Sequence, residues 1–335
     1  MSHCIIPLNY TSTLTTYQTQ QAIGRLKRIF EDNLSMSLNL HRVSAPLFVE
    51  PHTGLNDNLT GVERPVEFDV PETKSTAEIV HSLAKWKRVA LHKYGFPANS
   101  GIYTDMNAIR RDEILDNTHS IYVDQWDWEV VITKEQRTED FLKQTVEKIV
   151  ESICAASTRL RWDYPELPVS LKREITFVTA QDLEDLYPNL TPEERETEFT
   201  KEHKTVFVMK IGQRMRSGNR HGSRAPDYDD WNLNGDIIFW HDTLNCALEI
   251  SSMGIRVDEV SLHKQLKDSD CTDRAKLSFH KDLLDGKLPL TMGGGIGQSR
   301  LCMLLMAKAH IGEVQVSVWD NETHKICASQ GLKLL

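Results

Sequence analysis

Apolar and polar residues alternate along this chain with two different periods, and the changes of period mark its elements. Residues 18–34 carry a helical pattern with basic residues along one side, after a threonine-rich stretch from Thr11 to Thr19 that reads as a frayed lead into the helix. Val43 to Val49 reads as a short strand. Ser75-Thr76-Ala77-Glu78 has the form of a capping box and predicts a helix running to about Tyr94. On its wheel Ile79, Val80, Leu83, Ala84, Trp86, Ala90 and Leu91 form one apolar arc, with Lys87 near its middle and Lys85 and Arg88 outside it. Lys87 then either snorkels to water along Leu83 or points its charge into a pocket.

From Ile121 to Val131 the period shortens to two in a segment rich in aromatic and β-branched residues. One face of that strand carries Val123, Gln125, Asp127 and Glu129, the other Asp124, Trp126 and Trp128. The polar row is either a solvated sheet face or the floor of a polar site. An amphipathic helix follows at about 139–160, then strands at 175–179 and 206–211, with a helix between them opened by Thr191-Pro192-Glu193-Glu194. Strands at 236–241, 247–252 and 314–319 flank a glycine-rich run and a helix from about Ser299 to His310. Strand follows strand through loops, so the expected fold class is α+β, a largely antiparallel β-sheet flanked by helices.

Composition narrows the function classes. The 335 residues are 40% hydrophobic and 26% charged, with 39 basic and 48 acidic side chains and a net charge of −9. That is a folded chain of one large domain to about two, and its acidic balance argues against a general nucleic-acid binder. Six scattered cysteines without a CxxC pair suggest neither a zinc ribbon nor a disulfide framework. The first residues lack a signal-peptide pattern, and the longest apolar run, Leu301 to Ala307, is far too short for a bilayer. A cytoplasmic protein with no membrane partner is expected.

Four segments could carry chemistry. Pro51 to Gly61 is a long loop rich in Asn, Asp, Gly and Thr. Gly293-Gly294-Gly295-Ile296-Gly297-Gln298-Ser299-Arg300 is neither a dinucleotide fingerprint nor a P-loop. A tight strand-to-helix turn would explain its glycines, with Ser299 as helix cap, and Arg300 adds a guanidinium suited to a base or a phosphate. Asp236 and Glu249 sit among Ile, Leu and Phe, which fits either magnesium shared with phosphates or buried pairing with Arg256 or Arg300. The basic loop Arg214 to Arg224, running into Asp227-Tyr228-Asp229-Asp230, is a solvated loop or a lid over polyphosphate. Arg110 and Arg111, followed by Asp112 and Glu113, form a further cluster. Neither G-x-S-x-G nor HExxH occurs.

Taken together, Asp57-Asn58-Leu59-Thr60-Gly61, His81 to Arg88, Tyr122 to Glu129, Arg224 to Trp231, Leu233 to Asp236, Glu249 to Val257 and Gly293 to Leu301 resemble the ammonia-dependent asparagine synthetases, the aspartate-ammonia ligases, over roughly residues 20–320. This resemblance implies a single catalytic domain over 1–335, of which residues 1–17 and 320–335 match poorly. The resemblance implies a homodimer whose subunit is like the catalytic domain of class II aminoacyl-tRNA synthetases. It implies that aspartate and ATP form a β-aspartyl-adenylate and pyrophosphate with magnesium, and that ammonia then attacks to give asparagine and AMP.

Under the same resemblance Arg110 neutralises charge developing at the α-phosphate. Arg300, Arg224, Asp229 and Gly294 contact the nucleotide, and Asp236 and Glu249 hold magnesium and ATP. Lys87 meets the carboxylate of aspartate, Gln125 and Asp127 its polar groups, with Ser82, Ser252 and Arg256 as further contacts. Asp57 holds or deprotonates ammonia, and Gln125 counts with Asp57 and Arg110 among the catalytic group. The rivals are a free-standing aspartyl- or asparaginyl-tRNA synthetase relative and a non-catalytic regulator binding aspartate or AMP.

Overall fold

Thr15 opens the first helix, α1 (Thr16–Leu38), by accepting from Gln18 N while the Gln18 side chain takes the N–H of Thr15. The expected frayed lead therefore ends in an ordered cap. The computed structural model describes residues 3–59 and 63–335, so Thr60 and Gly61 of the early loop lie outside the described residues. After β1 (Leu40–Arg42), the strand expected at 43–49 contracts to β2 (Phe48–Val49), which joins β3 (Glu67–Val70) and β4 (Ser75–Ile79) in a small antiparallel sheet.

That sheet overturns the capping box at Ser75. Ser75 lies opposite Val70 and Glu78 opposite Glu67, after a turn in which Lys74 takes φ 53°. Flanking strands supply the hydrogen bonds that a local cap would have offered to a helix. The helix itself, α2 (Ala84–Tyr94), starts later and stops at Gly95 with φ 71°.

The remaining elements are β5 (Gly101–Ile109), β6 (Tyr122–Val131), α3 (Glu139–Asp163), β7 (Thr176–Thr179), α4 (Ala180–Leu186), α5 (Pro192–His203), β8 (Thr205–Met209), β9 (Asp229–His241), β10 (Cys246–Arg256), α6 (Glu259–Asp268), α7 (Ser278–Leu284), β11 (Thr291–Gly297), α8 (Gln298–Leu305) and α9 (Asn321–Ser329). Eight strands form one sheet in the order β1-β5-β6-β11-β10-β9-β8-β7. Its two edge pairs are parallel and its interior pairs antiparallel, which is the α+β arrangement expected.

Two expectations fail near the C-terminus. The glycine-rich run is strand β11 rather than a turn, hydrogen-bonded on both sides between β6 and β10. Residues 314–319 form no strand despite their alternation: Val316 and Val318 are exposed, and the Gln315 carboxamide donates to Asp124 Oδ1 and to Ser299 Oγ.

The period-two face of β6 decides which side of the large sheet is dry. Trp126 and Trp128 are fully buried against Leu26 and Phe30 of α1 and Ile149 and Ile153 of α3. Phe30 and Trp126 pack as a tilted pair with ring centroids 4.7 Å apart, and Trp126 Nε1 donates to Glu31 Oε1 at 2.9 Å. Burying side chains of this size is worth about 1.5–3 kcal/mol each, which fixes the strand's register and turns Gln125, Asp127 and Glu129 to the opposite face. No helix among the described residues is long and apolar enough to cross a membrane.

Candidate active site

Strand register alone aligns three of the candidate residues with a glycine of the run. Asp127, Gly295, Ser252 and Asp236 lie in one row across β6, β11, β10 and β9. Above this row opens a cavity of about 410 Å³. Asp57, Ser82, Lys87, Arg110, Gln125, Asp127, Arg224, Asp229, Glu249, Ser252, Arg256, Gly294 and Arg300 all line it; Asp236 sits beyond the wall, joined to it through Arg224. The glycines of β11 have a steric cause here. A Cβ on Gly295 would collide with the Gln125 carboxamide, and one on Gly293 with the Glu129 carboxylate.

Lys87 is fully buried, so the snorkelling alternative fails. Its Nζ donates to Asp127 Oδ1 at 2.5 Å and to Gly294 O at 2.9 Å, with Glu129 Oε2 3.9 Å away. Burial holds this ammonium below its ordinary pKa, against the pull of Asp127. Asp127 keeps Oδ2 without a partner, a buried acceptor at the cavity. The wheel misplaced Lys85 and Arg88, which are also buried. Lys85 reaches Asp227, and Arg88 donates to Val257 O at 2.6 Å and Pro289 O at 2.7 Å, because α2 is covered on several sides.

Beneath the cavity runs a chain of buried charge. Glu129 accepts from Arg256 Nε at 3.0 and 3.1 Å and from Nη2 at 2.7 Å, while Arg256 Nη1 donates to Asp229 Oδ1 at 2.5 Å. Burial pushes the Glu129 carboxyl up, but Arg256 and Lys87 pull it further, to below the usual carboxylate range. Asp229 therefore faces a buried guanidinium at the cavity floor. Arg224 donates to Asp236 Oδ1 at 2.5 Å and to Ser252 Oγ.

The early loop is built by one asparagine. Asn56 Oδ1 accepts from the N–H of Asp57 and of His81 at 3.0 and 2.8 Å, and its Nδ2 donates to Glu78 Oε2. His81 Nδ1 meets Asp57 O at 3.0 Å, so that nitrogen carries the proton, and His81 Nε2 is a buried atom without a partner. Arg110, at the end of β5, donates to His81 O at 3.4 Å and keeps Nε unpaired. Its acidic neighbour Asp112 pairs with Arg64 instead, at 2.5 Å.

Arg300 sits in the first turn of α8, donating to Glu249 O at 3.0 Å with the Glu249 carboxylate 3.9 Å away. Ser299 is not the cap expected of it; it donates through Oγ to Asp124 Oδ2 at 2.8 Å and through N to Oδ1 at 3.0 Å. Of the basic loop, Ser223 and Arg224 reach the cavity, while Arg216 pairs with Asp185, Ser217 with Glu184 and His221 with Glu196.

Asp236 tests whether a cation fits. Burial, opposed by Arg224 and reinforced by Glu249, lifts its carboxyl to about 7, and a cation beside it would favour the charged form. The buried-pair alternative is half right, with Arg224 rather than Arg256 or Arg300 as the partner of Asp236. Among the described residues no group of three or more His, Cys, Asp or Glu could by itself hold a metal ion. Sequence reasoning gave no role to Glu129, His81 or Asp124. Glu129 and Asp124 carried a signal, the one on the polar face of β6 and the other an acid beside its tryptophans.

The profile of the aspartate-ammonia ligase family matches residues 17–331, reaching past the span read from the sequence. The aspartate-ammonia ligase of Clostridium tetani is 58% identical over 99% of this chain and 97% of its own length. That of Lactobacillus acidophilus is 57% identical, with 99% of each chain covered. Among solved structures, the asparaginyl-tRNA synthetase of Entamoeba histolytica in complex with asparaginyl-adenylate superposes with a TM-score of 0.64 at 13% identity, over 90% of this chain and 66% of that one. The Pyrococcus horikoshii asparaginyl-tRNA synthetase complexed with asparaginyl-adenylate gives 0.63 at 13%, over 88% and 68%. The shared fold is that of a class II synthetase catalytic domain.

Proposed function

Because the chain belongs to the aspartate-ammonia ligase family and is a ligase of asparagine biosynthesis, we propose that it activates the β-carboxylate of L-aspartate with ATP as a β-aspartyl-adenylate, which ammonia then converts to asparagine and AMP. One observation carries this reading. A single polar cavity is lined by cations from several elements, Lys87 of α2, Arg110 after β5, Arg224 before β9 and Arg300 of α8, facing the carboxylates Asp57, Asp127 and Glu249. That is the distribution two anionic substrates and one ammonium-bearing centre require.

The residues divide the work by position. Asp127 Oδ2, buried and unpartnered, accepts from the α-ammonium of aspartate, while Lys87 and Arg256 supply positive charge for its carboxylates and Ser82, Gln125 and Ser252 orient it. Arg110 neutralises charge growing on the α-phosphate during adenylation, when a preorganised guanidinium is worth most. Arg300, Arg224, Asp229 and the backbone of Gly294 hold the nucleotide. Asp236 and Glu249 would hold a magnesium ion, whose chemistry is to neutralise the triphosphate. Asp57 accepts hydrogen bonds from incoming ammonium and takes the proton that frees its lone pair; the ammonia then attacks the adenylate carbonyl, AMP leaves, and the second proton passes to solvent as the amide forms. A homodimer is part of the same proposal.

Incubation of the protein with aspartate, ATP, magnesium and ammonium should yield asparagine, AMP and pyrophosphate in equal amounts. Formation of ADP, or a product that requires glutamine in place of ammonium, would refute it.

A further inference from the structure

Behind the cavity wall lies a second group of buried charges. Asp227 is fully buried, and its Oδ2 meets three donors from three elements: Lys85 Nζ of α2 at 3.3 Å, Arg274 Nη1 of the 3-10 turn Thr272–Lys276 at 3.1 Å, and His280 Nε2 of α7 at 2.9 Å. None of the four residues lines the cavity. Each of two is nonetheless a short step from residues that do. Lys85 follows Ala84 and precedes Lys87 by two positions, and Asp227 adjoins Tyr228, stands two before Asp229 and three after Arg224.

Ion clusters of this kind are poor stabilisers, since apolar side chains of similar volume often serve as well or better. What they add is direction. Apolar contact lets two surfaces slide, whereas charge-assisted hydrogen bonds to one oxygen fix a distance. The other flank of the same segment is already held, because Gln265 Nε2 of α6 donates to Pro226 O and Asp229 O at 2.9 Å each. The Lys85 to Asp227 contact therefore ties this braced segment to the helix carrying Lys87.

We propose that Lys85 and Asp227 are positioning residues that set the separation between the cavity wall bearing Lys87 and the wall bearing Arg224 and Asp229, and so the alignment of aspartate against ATP. The proposal rests on the function given above. Misalignment of reacting groups by about 1 Å can cost on the order of a hundredfold in rate, so the contact has a kinetic signature distinct from stability.

The cluster offers its own control. Lys85→Met leaves the Asp227 carboxylate balanced by Arg274, and Arg274→Met leaves it balanced by Lys85. Both remove one cation from the same oxygen, but the first cuts the link to α2 and the second keeps it. Initial rates of AMP formation, with thermal melts alongside, should show the aspartate KM of Lys85→Met raised at least fivefold (~), with a lower kcat and an ATP KM within about twofold of the parent. Arg274→Met should leave all three within about twofold. Equal effects of the two variants, or an unchanged aspartate KM in Lys85→Met, would overturn the assignment. Should Lys85→Met fail to fold, Asp227→Asn, which keeps the shape and weakens the tie, must show the same aspartate-specific rise or the proposal falls. A parent protein that makes no asparagine overturns the function and this inference with it; an active parent with unaffected variants overturns the positioning role alone.

Discussion

Glu129→Gln removes one charge from the fully buried row beneath the cavity and leaves its volume almost unchanged. Arg256 makes three of its hydrogen bonds to this carboxylate, and Lys87 lies 3.9 Å from it. A glutamine turns an N–H₂ toward donors that need an acceptor, and it leaves Arg256 with Asp229 and Lys87 with Asp127 as their remaining acidic partners. Breaking a buried pair from one side costs about 3–5 kcal/mol. Unfolding entropy of roughly 2.1 cal/mol/K per residue, applied to this chain, amounts to about 0.7 kcal/mol/K, so Tm should fall by about 4–7 °C. Kinetics give an independent reading. Glu129 raises the Lys87 pKa, which burial has already lowered, so its loss moves that pKa down again. Lys87 must be protonated to hold a carboxylate, and kcat/KM for aspartate falls as pH rises through its pKa. In Glu129→Gln this alkaline fall should therefore begin at lower pH. Calorimetric melts and a pH series of kcat/KM provide the assay; a Tm change under about 2 °C together with an unmoved alkaline limb would refute the reasoning.

Arg110→Ala should lower kcat by on the order of a hundredfold with a smaller change in either KM, because the proposed function puts the guanidinium where charge develops; a change confined to KM, measured in the same assay, would remove it from that role. A pH effect on stability arises at His310, which is buried, accepts from Gly312 N through Nδ1 at 3.0 Å and is held at about 4 by burial. Its folded pKa lies below the unfolded value of about 6.5, so the unfolded chain binds more protons between the two; stability is whole above the upper value and declines by about 3 kcal/mol as pH falls to the lower one. His310→Asn, which can still accept from Gly312 N, should flatten Tm between pH 6.5 and pH 4, and an unaltered slope would exclude His310 as the source.

What the sequence revealed, and what it hid, divide along the reach of the interactions. Trp126 and Trp128 on one face of β6 against Gln125, Asp127 and Glu129 on the other is a pattern of period two contained in a single strand, and the structure keeps it because the tryptophans are anchored on α1 and α3. The cap at Thr191 is equally local, with its N3 partner Glu194, and it stands. The cap read at Ser75 had the right letters, but strand β3 offered the residues from Ser75 to Glu78 cooperative partners five to eleven residues away along the chain, and strand pairing won. Val316 and Val318 had the alternation of a strand and found no neighbouring edge.

The charges of α2 show why the site itself was only partly legible. A helical wheel assumes one buried face, and for Lys87, at the centre of that face, the assumption was sound. Lys85 and Arg88 fall outside that face, and nothing within the helix names the partners that bury them: Asp227, Val257 O and Pro289 O stand 142, 169 and 201 residues away in sequence. The same separation hid the pairing of Glu129 with Arg256 across 127 residues. Buried cations are tolerated only where acceptors are delivered to them, so three cations buried on one short helix imply that several distant segments converge around it. This convergence lets α2, which packs on β5, β6 and β11, also form a wall of the cavity, where in the proposed function Lys87 presents its charge to aspartate without itself reaching water.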